Sequence, residues 1–563
     1  AIPTGVYDYR ELKQENYYSV DKTLMIKDFL ERKSKVTLVT RPRRFGKTIN
    51  MSMMSEFFDI TKDSKEIFKG TKIMDTPYAS ELNQYPTIFI SFADAKENKE
   101  TIVKYIKTQL QNEYIRYHFI FNQLNELEQN DYLYILEGLK NKNNGILNDV
   151  DNAIVFLMRC LKKYYGKDVM LFIDEYDTPF IEAKTGNFYQ ELKGSLATLL
   201  RSSLKNSEDL KYAFITGIQR VAKENIFSDL NNLDVYTVCD REYSEYFGFD
   251  SDETKKLLEY YGLELNNEVK EMYDGYHIGN QDIYNPWSIM NYAKRKKLIS
   301  YWVNTSANSM IKTALKQANY TFKNQYDKLI KDGKLDTYVS MQTSFFEEAD
   351  NSTLWGLFVN AGYLTVTKEI DLLKGKYRIE IPNKEVKQEF IKLTEYQLGL
   401  SSGTLDTVTE SLAKEDQETF LESYQEILMV PIYDDLQKEN SYQNILMLPS
   451  YHDLNDENSY HMMMLGMCLC LNKDYEIISN REVGKGRDDL ILKAKDEKKT
   501  SFVLEFKYLK EDKKDLEKAL DELSNKAIQQ IKDNKYDYGL KGKVIYIGLA
   551  HHGKDASIKW VES

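Results

Sequence analysis

The sequence has few cysteines, no long apolar segment and no recognisable export signal. Its 563 residues include four cysteines, Cys160, Cys239, Cys468 and Cys470, and no CxxC pair. We therefore expect all four to be reduced core residues, which suits a reducing cytoplasm. No run of about 18 apolar residues is present, so we expect no membrane span. The first residues also lack the basic-then-apolar pattern of a signal peptide.

The chain also lacks the excess of positive charge found in proteins that bind nucleic acid over their whole surface. Its formal net charge is -12, which argues against a histone-like, globally basic protein. A local basic cleft is compatible with this charge, because salt screens electrostatic fields within about 10 Å. Hydrophobic residues at 42% and charged residues at 29% are ordinary for a globular protein. The length predicts about three or four domains.

Short apolar runs alternate with helical stretches over residues 1 to about 250. The clearest predicted strands are Val36–Thr40, Thr87–Ser91, Val169–Ile173 and Tyr212–Thr216. Their apolar residues are continuous rather than alternating, which is typical of parallel strands buried on both faces. The pattern predicts an α/β fold with a parallel sheet covered by helices.

Downstream of this region the sequence turns mainly helical up to about residue 340. Residues 355–395 then follow the order helix, hairpin, helix, with the hairpin turning near Gly375. This order predicts a winged-helix-like module, with a helical connector as the alternative. Residues 423–458 contain a short tandem repeat, in which the segment starting at Ser423-Tyr-Gln is repeated from Ser441-Tyr-Gln.

The loop after the first strand carries residue types that bind a nucleoside triphosphate. Arg41-Pro-Arg-Arg-Phe-Gly-Lys-Thr precedes a helical run. In such a loop Gly46 lets the backbone approach phosphate, Lys47 neutralises the β- and γ-oxygens, and Thr48 ligates Mg²⁺. The usual pattern has glycine at position 41, where a bulky residue restricts the loop. The other residues predicted to contact the nucleotide in this loop are Arg43, Arg44 and Phe45.

Two further strands end in polar residues that we expect at the same edge of the sheet. The strand Val169–Ile173 is followed by Asp174 and Glu175. We expect Asp174 to hold the Mg²⁺ shell and Glu175 to polarise the attacking water. The alternative is a solvated acidic turn. Beyond the next strand, Thr216 is a candidate sensor of the γ-phosphate, and Arg220 either stabilises phosphate charge or forms a surface salt bridge.

These motifs resemble those of the bacterial AAA-ATPase-like family over roughly residues 5–310. That family routinely replaces the first glycine of the loop within an RPRRFGK[ST] motif. The resemblance implies an ATP-binding core followed by a helical lid. Besides the loop, it rests on Tyr18-Ser-Val-Asp-Lys-Thr, Asp174-Glu-Tyr-Asp-Thr-Pro, Phe227-Ser-Asp-Leu-Asn-Asn-Leu, Tyr273-Asp-Gly-Tyr-His, Tyr284-Asn-Pro-Trp-Ser and Trp302-Val-Asn-Thr-Ser.

Near the C-terminus, carboxylates and a lysine fall on two neighbouring predicted strands. Asp489 ends the run Gly-Arg-Asp-Asp, and Glu505 and Lys507 lie in Glu-Phe-Lys. Strand alternation places Glu505 and Lys507 on one face and Phe506 on the other. Two carboxylates can bind Mg²⁺ or Mn²⁺ while the lysine activates the attacking water. Asp488 is the alternative ligand, and a charged surface hairpin is the alternative structure.

This arrangement resembles the PD-(D/E)XK nuclease family, whose Gly-Arg-x-Asp pattern favours Asp489 over Asp488. The resemblance implies that Asp489 and Glu505 bind metal and that Gln530, in Ala-Ile-Gln-Gln, lies beside them. It also implies a metal-binding acid on the first helix of the domain. Glu457 is the candidate, with Glu439 as its counterpart one repeat earlier.

Together the two resemblances predict a nucleotide-controlled nuclease in the cytoplasm. We expect ATP and Mg²⁺ as cofactors, with Mn²⁺ as an alternative at the nuclease site, and DNA rather than RNA as the substrate. A role in defence or mobile-DNA handling and a homo-oligomer are compatible with this prediction. The alternative is a nucleotide-driven switch or scaffold that binds nucleic acid or protein without cleaving it. The predicted segments are 1–248 (ATPase core), 249–345 (helical lid), 346–422 (winged-helix-like or helical connector) and 423–563 (nuclease-like domain, beginning with the repeat).

Overall fold

The chain forms two compact units. Unit 1 contains Ala1–Ala314 and Asp336–Lys387, and unit 2 contains Leu315–Leu335 and Gln388–Ser563. The four-segment division drawn from the sequence uses other boundaries and stays a prediction. The computed structural model describes residues 2–143, 145–205, 207–221, 232–302, 311–312, 314, 319–342, 349–397, 403–429, 457–468, 471, 474–479, 482–483, 486–487, 490–510 and 515–563.

Unit 1 is built on a parallel sheet with the strand order β2-β3-β4-β1-β5. Every residue of the first and third strands is buried, as their continuous apolar runs predict. This confirms the predicted α/β class. The strands are β1 (Val36–Thr40), β2 (Thr87–Ser91), β3 (Val169–Asp174), β4 (Leu210–Gly217) and β5 (Leu233–Tyr236).

Helices cover this sheet and connect its strands. The most amphipathic of them bury apolar faces against the sheet, as Phe156, Leu157 and Leu161 do in the helix before β3. The helices are α1 (Tyr9–Gln14), α2 (Leu24–Arg32), α3 (Lys47–Phe58), α4 (Lys65–Phe68), α5 (Lys99–Arg116), α6 (Glu126–Lys140), α7 (Ala153–Tyr165), α8 (Thr178–Thr185) and α9 (Tyr189–Leu204).

A small helical lid follows the sheet and has its own core around Leu257, Tyr273 and Ile289. Its helices start at side-chain caps, because Asp250 and Asn285 each accept hydrogen bonds from backbone N–H groups of the first turn. The lid elements are α10 (Ser251–Tyr260), α11 (Asn267–Tyr273), β6 (Tyr276–Ile278), β7 (Gln281–Ile283) and α12 (Pro286–Arg295).

The middle of the chain shows the predicted order of helix, hairpin and helix. The hairpin turns through Leu372–Lys374 and Gly375, whose φ of 65° suits glycine. A further strand joins it, giving the order β8-β10-β9. The elements are α13 (Tyr320–Asp332), β8 (Lys334–Tyr338), α14 (Asn351–Ala361), β9 (Thr365–Asp371), β10 (Lys376–Glu380) and α15 (Lys384–Gln397).

The rest of unit 2 is organised around a mixed sheet with the order β11-β14-β15-β16-β17. One face packs on three helices through residues such as Tyr424, Met464 and Phe506. The other face packs on the helix Leu516–Asn534 (α19) through Val503 and Ile528. The elements are α16 (Thr404–Ala413), α17 (Gln417–Met429), α18 (Glu457–Cys468), β11 (Tyr475–Ser479), β12 (Glu482–Val483), β13 (Gly486–Arg487), β14 (Leu490–Ala494), β15 (Ser501–Tyr508), α19 (Leu516–Asn534), β16 (Val544–His552) and β17 (Asp555–Glu562).

Several sequence predictions fall on parts of the chain outside the described residues. These are most of the tandem repeat, Asp488, Asp489 and Cys470. Cys160, Cys239 and Cys468 form no disulfide, and two of them, Cys160 and Cys468, are buried. Among the described helices, none is both long and apolar enough to cross a membrane.

Candidate nucleotide and nuclease sites

The predicted phosphate loop, residues 41–46, joins the end of β1 to the start of α3. Gly46 precedes the helix with a φ of 85°, a left-handed conformation that glycine adopts without strain. The buried ammonium group of Lys47 donates hydrogen bonds to the carbonyl oxygens of Arg41 (3.1 Å) and Pro42 (3.0 Å). Burial lowers the pKa of Lys47, and the nearby carboxylates of Glu175 and Asp174 oppose this shift.

Arg41, which replaces the usual first glycine, lies beneath the loop and is fully buried. Its guanidinium donates to the carbonyl oxygens of Thr40 and Thr237, both at 2.8 Å, and of Glu242 at 3.3 Å. It also lies 5.4 Å above the ring of Phe247. Burial lowers the pKa of Arg41 to about 10, so the group is still charged near pH 7. The arginine therefore fixes the start of the loop to the segment that follows β5.

Phe45 and Arg44 fasten the other end of the loop to the lid. The buried ring of Phe45 meets Tyr276 of β6 edge-on, with a centroid distance of 4.9 Å. The Arg44 guanidinium lies 4.6 Å above the ring of Trp287 and donates to the carbonyl oxygen of Tyr301 at 3.1 Å. The indole N–H of Trp287 donates to the same oxygen at 3.0 Å. In this structure Arg44 therefore connects the loop to α12.

Asp174, at the end of β3, gathers hydroxyl groups from three other elements. Its carboxylate accepts hydrogen bonds from Thr48 and Thr216, both at 2.7 Å, and from Ser91 at 3.5 Å. Burial, and then the neighbouring charge of Glu175, raise the pKa of Asp174 to about 6. Ser91 was not predicted, although it ends β2 at the same edge of the sheet. The cluster offers several oxygen ligands, which are those that Mg²⁺ prefers.

A cavity of about 590 Å³ opens over the phosphate loop and lies within unit 1. Its floor is formed by residues 43–50, and Ser91, Asp94 and Glu175 line its polar end. The apolar end is lined by side chains from the N-terminal segment and the lid. They include Tyr18, Phe249, Leu257, Trp287 and Met290.

The predicted nucleotide residues do not all reach this cavity. Arg43, Arg44, Phe45, Gly46, Lys47, Thr48 and Glu175 line it. Asp174 and Thr216 lie just behind Thr48, in the hydroxyl cluster. Arg220 is not among the described residues that line the cavity, and its guanidinium donates to the Gln342 side chain at 2.7 Å.

In unit 2 the strand β15 carries Glu505 and Lys507 on one face, as its alternation predicts. The Lys507 ammonium lies 2.9 Å from Oε1 of the buried Glu505. Gln530, from α19, donates its amide N–H to the same oxygen. Phe506 points to the opposite face and is fully buried in the core. The glutamate, the lysine and the glutamine are therefore brought together.

The two other predicted metal ligands near this group are Glu457 and Asp489. Glu457 begins α18, with its Oε2 3.8 Å from the Lys507 ammonium and its side chain 51% exposed, a loose ion pair. Asp489 lies outside the described residues. Within the described residues there is no group of three or more His, Cys, Asp or Glu side chains placed to hold a metal.

A histidine lies under this site but has no acid–base role near neutral pH. His551 is fully buried in β16, its Nε2 is 2.7 Å from the Tyr424 hydroxyl, and Tyr460 stacks on it at 3.9 Å. Burial lowers the pKa of His551 to about 3. The imidazole is neutral at pH 7, so it supports the strand as an aromatic core residue.

Comparison with known proteins confirms both resemblances. The family described as a predicted AAA-ATPase matches residues 3–227, and the PD-(D/E)XK nuclease superfamily matches residues 455–561. A protein of Azotobacter chroococcum mcd 1, described as an uncharacterized protein in the vnfD 5' region, is 25% identical over 397 residues. That match covers 69% of this chain and 68% of the Azotobacter protein. Residues 3–227 are therefore similar to the predicted AAA-ATPases, and residues 455–561 are similar to the PD-(D/E)XK nuclease superfamily.

Proposed function

We propose that this chain binds and hydrolyses ATP in the cavity of unit 1, and that its nucleotide state controls metal-dependent cleavage of DNA by unit 2. One observation carries the proposal for unit 1. Lys47, Thr48 and Glu175 line a single cavity, and Asp174 accepts a hydrogen bond from the Thr48 hydroxyl just behind this lining. A buried ammonium beside a hydroxyl–carboxylate cluster is the donor set that a magnesium nucleotide requires.

The phosphate groups would lie along the loop. The Lys47 ammonium is held by carbonyl groups of its own loop, so it can exchange these weak acceptors for phosphate oxygens without leaving the site. Thr48 and Asp174 would hold Mg²⁺, which when bound neutralises charge on the phosphate oxygens. Glu175 borders the cavity and is the group placed to orient the attacking water.

The base of the nucleotide would lie at the apolar end of the same cavity. Tyr18 reaches this end from the N-terminal segment, while Trp287 and Met290 reach it from α12. Flat aromatic rings and flexible methionine side chains provide surfaces on which a purine can stack. Arg44 belongs to the loop, and its side chain contacts Trp287 of the lid. One side chain would therefore link the position of the lid to phosphate binding.

In unit 2 we propose phosphodiester hydrolysis with Mg²⁺ or Mn²⁺. Glu505 and Asp489 would hold the ion, which when bound polarises the phosphoryl group. Lys507 lies 2.9 Å from Glu505 and is placed to orient a water beside the phosphorus, while Gln530 fixes the carboxylate from α19. The same residues would cleave RNA if an RNA strand fits this site, so DNA and RNA are tested as separate substrates.

The nucleotide site is tested by titrating ATP and Mg²⁺ into the wild-type chain and the Lys47→Ala variant. We expect ATP affinity to fall at least about tenfold in the variant, because a charge-assisted contact to phosphate is lost. Arg159→Ala is the matched control, since this exposed arginine of α7 lies outside the cavity lining and should leave affinity within about twofold. Unchanged ATP binding in Lys47→Ala would contradict the proposed site.

A further inference from the structure

The residues that follow β3 and β4 are bound to each other by buried hydrogen bonds. We call residues 174–178 the acidic turn and residues 217–221 the β4 loop. Asp177 of the acidic turn is fully buried. Its Oδ2 accepts hydrogen bonds from the backbone N–H groups of Ile218 and Gln219, both at 2.9 Å. One carboxylate oxygen therefore fixes two consecutive peptide groups of the β4 loop.

Tyr176 adds a second attachment between the same two segments. Its ring is fully buried, and its hydroxyl donates to the carbonyl oxygen of Gln219 at 3.0 Å. The hydroxyl also accepts a hydrogen bond from the backbone N–H of Val221 at 2.8 Å. The backbone N–H of Tyr176 donates to the carbonyl oxygen of Thr216 at 3.0 Å. Together with Asp177, these contacts hold the backbone of Ile218, Gln219 and Val221 in the β4 loop.

The position of Asp177 in its own helix makes this arrangement unusual. Asp177 precedes α8, where an aspartate ordinarily accepts hydrogen bonds from N–H groups of the first helical turn. Its side chain makes no such cap in this structure. The carboxylate reaches across to the neighbouring loop instead, so its role concerns the β4 loop rather than the stability of α8.

Gly217 allows the close approach that these bonds need. A Cβ at this position would stand 2.7 Å from Asp177 Oδ1 and 2.8 Å from the Tyr176 ring, closer than side chains normally come. The carbonyl oxygen of Gly217 accepts a hydrogen bond from the backbone N–H of Arg41 at 3.0 Å. The end of β4 thus lies between the phosphate loop and the acidic turn and is bonded to both.

We propose that Asp177 and Tyr176 are positioning residues that keep the acidic turn and the β4 loop in one geometry around the γ-phosphate. Glu175 lies in the same turn with a φ of 50° and borders the cavity. Its carboxylate accepts a hydrogen bond from the Thr178 hydroxyl at 3.2 Å, and the bonds of the next two residues fix the backbone from which it extends. The inference rests on the proposed nucleotide site and deepens it. Neither residue lines the cavity, and both act through Glu175, which does.

The test compares Asp177→Ala, Asp177→Asn and Tyr176→Phe for ATP affinity, ADP affinity and single-turnover ATP hydrolysis. In Asp177→Ala we expect hydrolysis to fall about 10- to 100-fold and the preference for ATP over ADP to disappear, because the loop near the γ-phosphate is released. Affinity for ADP should stay within about twofold. Tyr176→Phe fills the same space and should lose about three- to tenfold in rate, which guards against an Asp177→Ala chain that does not fold.

The asparagine variant separates positioning from a direct use of charge. Its amide oxygen can still accept both backbone N–H groups, so hydrolysis should stay within about fivefold of the wild type. Asp168→Ala, at a half-buried position just before β3 that lies outside the cavity lining, is the control and should match the wild type. Equal loss in Asp177→Asn and Asp177→Ala would overturn the proposal, as would a wild-type ATP preference in both Asp177→Ala and Tyr176→Phe. A wild-type chain that binds ATP without hydrolysing it would refute the hydrolysis step of the proposed function, and the ATP preference would still decide the role of Asp177.

Discussion

Arg41 illustrates how one buried side chain can take over the task of a glycine. The usual glycine gives a phosphate loop conformational freedom, whereas the Arg41 guanidinium fixes this loop by hydrogen bonds to four carbonyl groups. From the sequence alone, the arginine was a departure that restricts the loop. In the structure the restriction is supplied by bonds to the segment after β5, a contact between positions nearly 200 residues apart.

We predict that Arg41→Ala lowers the free energy of unfolding of the ATPase-like module by about 2–4 kcal/mol, because buried carbonyl groups lose their donor and a cavity is left. Arg41→Gly should be no better, although it restores the usual residue. Chemical denaturation measures the loss. Arg159→Ala, at an exposed position of α7, is the control and should change stability by less than about 0.5 kcal/mol. Equal stability of Arg41→Gly and the wild type would show that the arginine has no such role.

We predict that the buried Asp174 makes the free energy of unfolding depend on pH. The direction is opposite to that expected for a carboxylate in an ordinary ion pair. Burial and Glu175 raise its pKa from 3.8 to about 6. The folded chain therefore keeps a proton that the unfolded chain has lost between these pH values, and stability falls as pH rises from about 4 to 6. Above about pH 6 the folded chain bears the whole free-energy cost of burying a charged Asp174 carboxylate.

Asp174→Asn removes this cost. In metal-free buffer at pH 8 we expect the variant to gain up to about 3 kcal/mol in free energy of unfolding, with the gain disappearing near pH 4. Thermal denaturation at the two pH values measures the difference. A variant that is less stable than the wild type at pH 8 by the same amount as at pH 4 would contradict the assignment.

At the scale of elements, the sequence predicted strands with continuous apolar runs better than strands that contain polar residues. Strands β1 and β2 were predicted with their observed bounds, since continuous apolar runs have few other interpretations. The edge strand β5 is four residues long and contains Asp234, and β17 alternates polar and apolar side chains, so neither stood out. Their positions are set by tertiary pairing with β1 and β16.

The hairpin β6–β7 depends on Gly275, which has a φ of 108° and lies against the backbone of Pro382. A Cβ at this position would stand 1.9 Å from the Pro382 carbonyl oxygen. We predict that Gly275→Ala destabilises unit 1 by about 2–4 kcal/mol and weakens ATP binding, because Tyr276, which supports Phe45, must move.

Gly262→Ala is the matched control for this prediction. Gly262 also has a positive φ, of 70°, yet nothing lies within 4 Å of its Cβ position. Its substitution should cost about 1 kcal/mol from backbone strain alone. Urea denaturation of both variants isolates the packing contribution, and equal losses would show that the contact with Pro382 does not matter.

At the scale of the whole molecule, the sequence predicted residues for both candidate sites but not the contacts that surround them. Lys47 and Asp174 follow local motifs, and Glu505 and Lys507 follow strand alternation, so short segments sufficed. Ser91 and Trp287 reach the cavity over residues 43–50 only because β2 and α12 are brought to it by the fold. Asp177 belongs to a recognisable motif, yet its bonds to the β4 loop depend on pairing between β3 and β4.

In the proposed function, ATP controls a nuclease on the same chain. The most direct measurement is cleavage of plasmid, single-stranded DNA and RNA with Mg²⁺ or Mn²⁺, with and without ATP. It compares the wild type with Lys507→Ala, Lys47→Ala and the exposed control Lys541→Ala. We predict that Lys507→Ala loses cleavage by about 100-fold or more, that Lys47→Ala loses its response to ATP, and that Lys541→Ala matches the wild type. Nucleic-acid binding without cleavage under every condition, with ATP binding intact, would contradict the claim and favour a nucleotide-driven switch or scaffold.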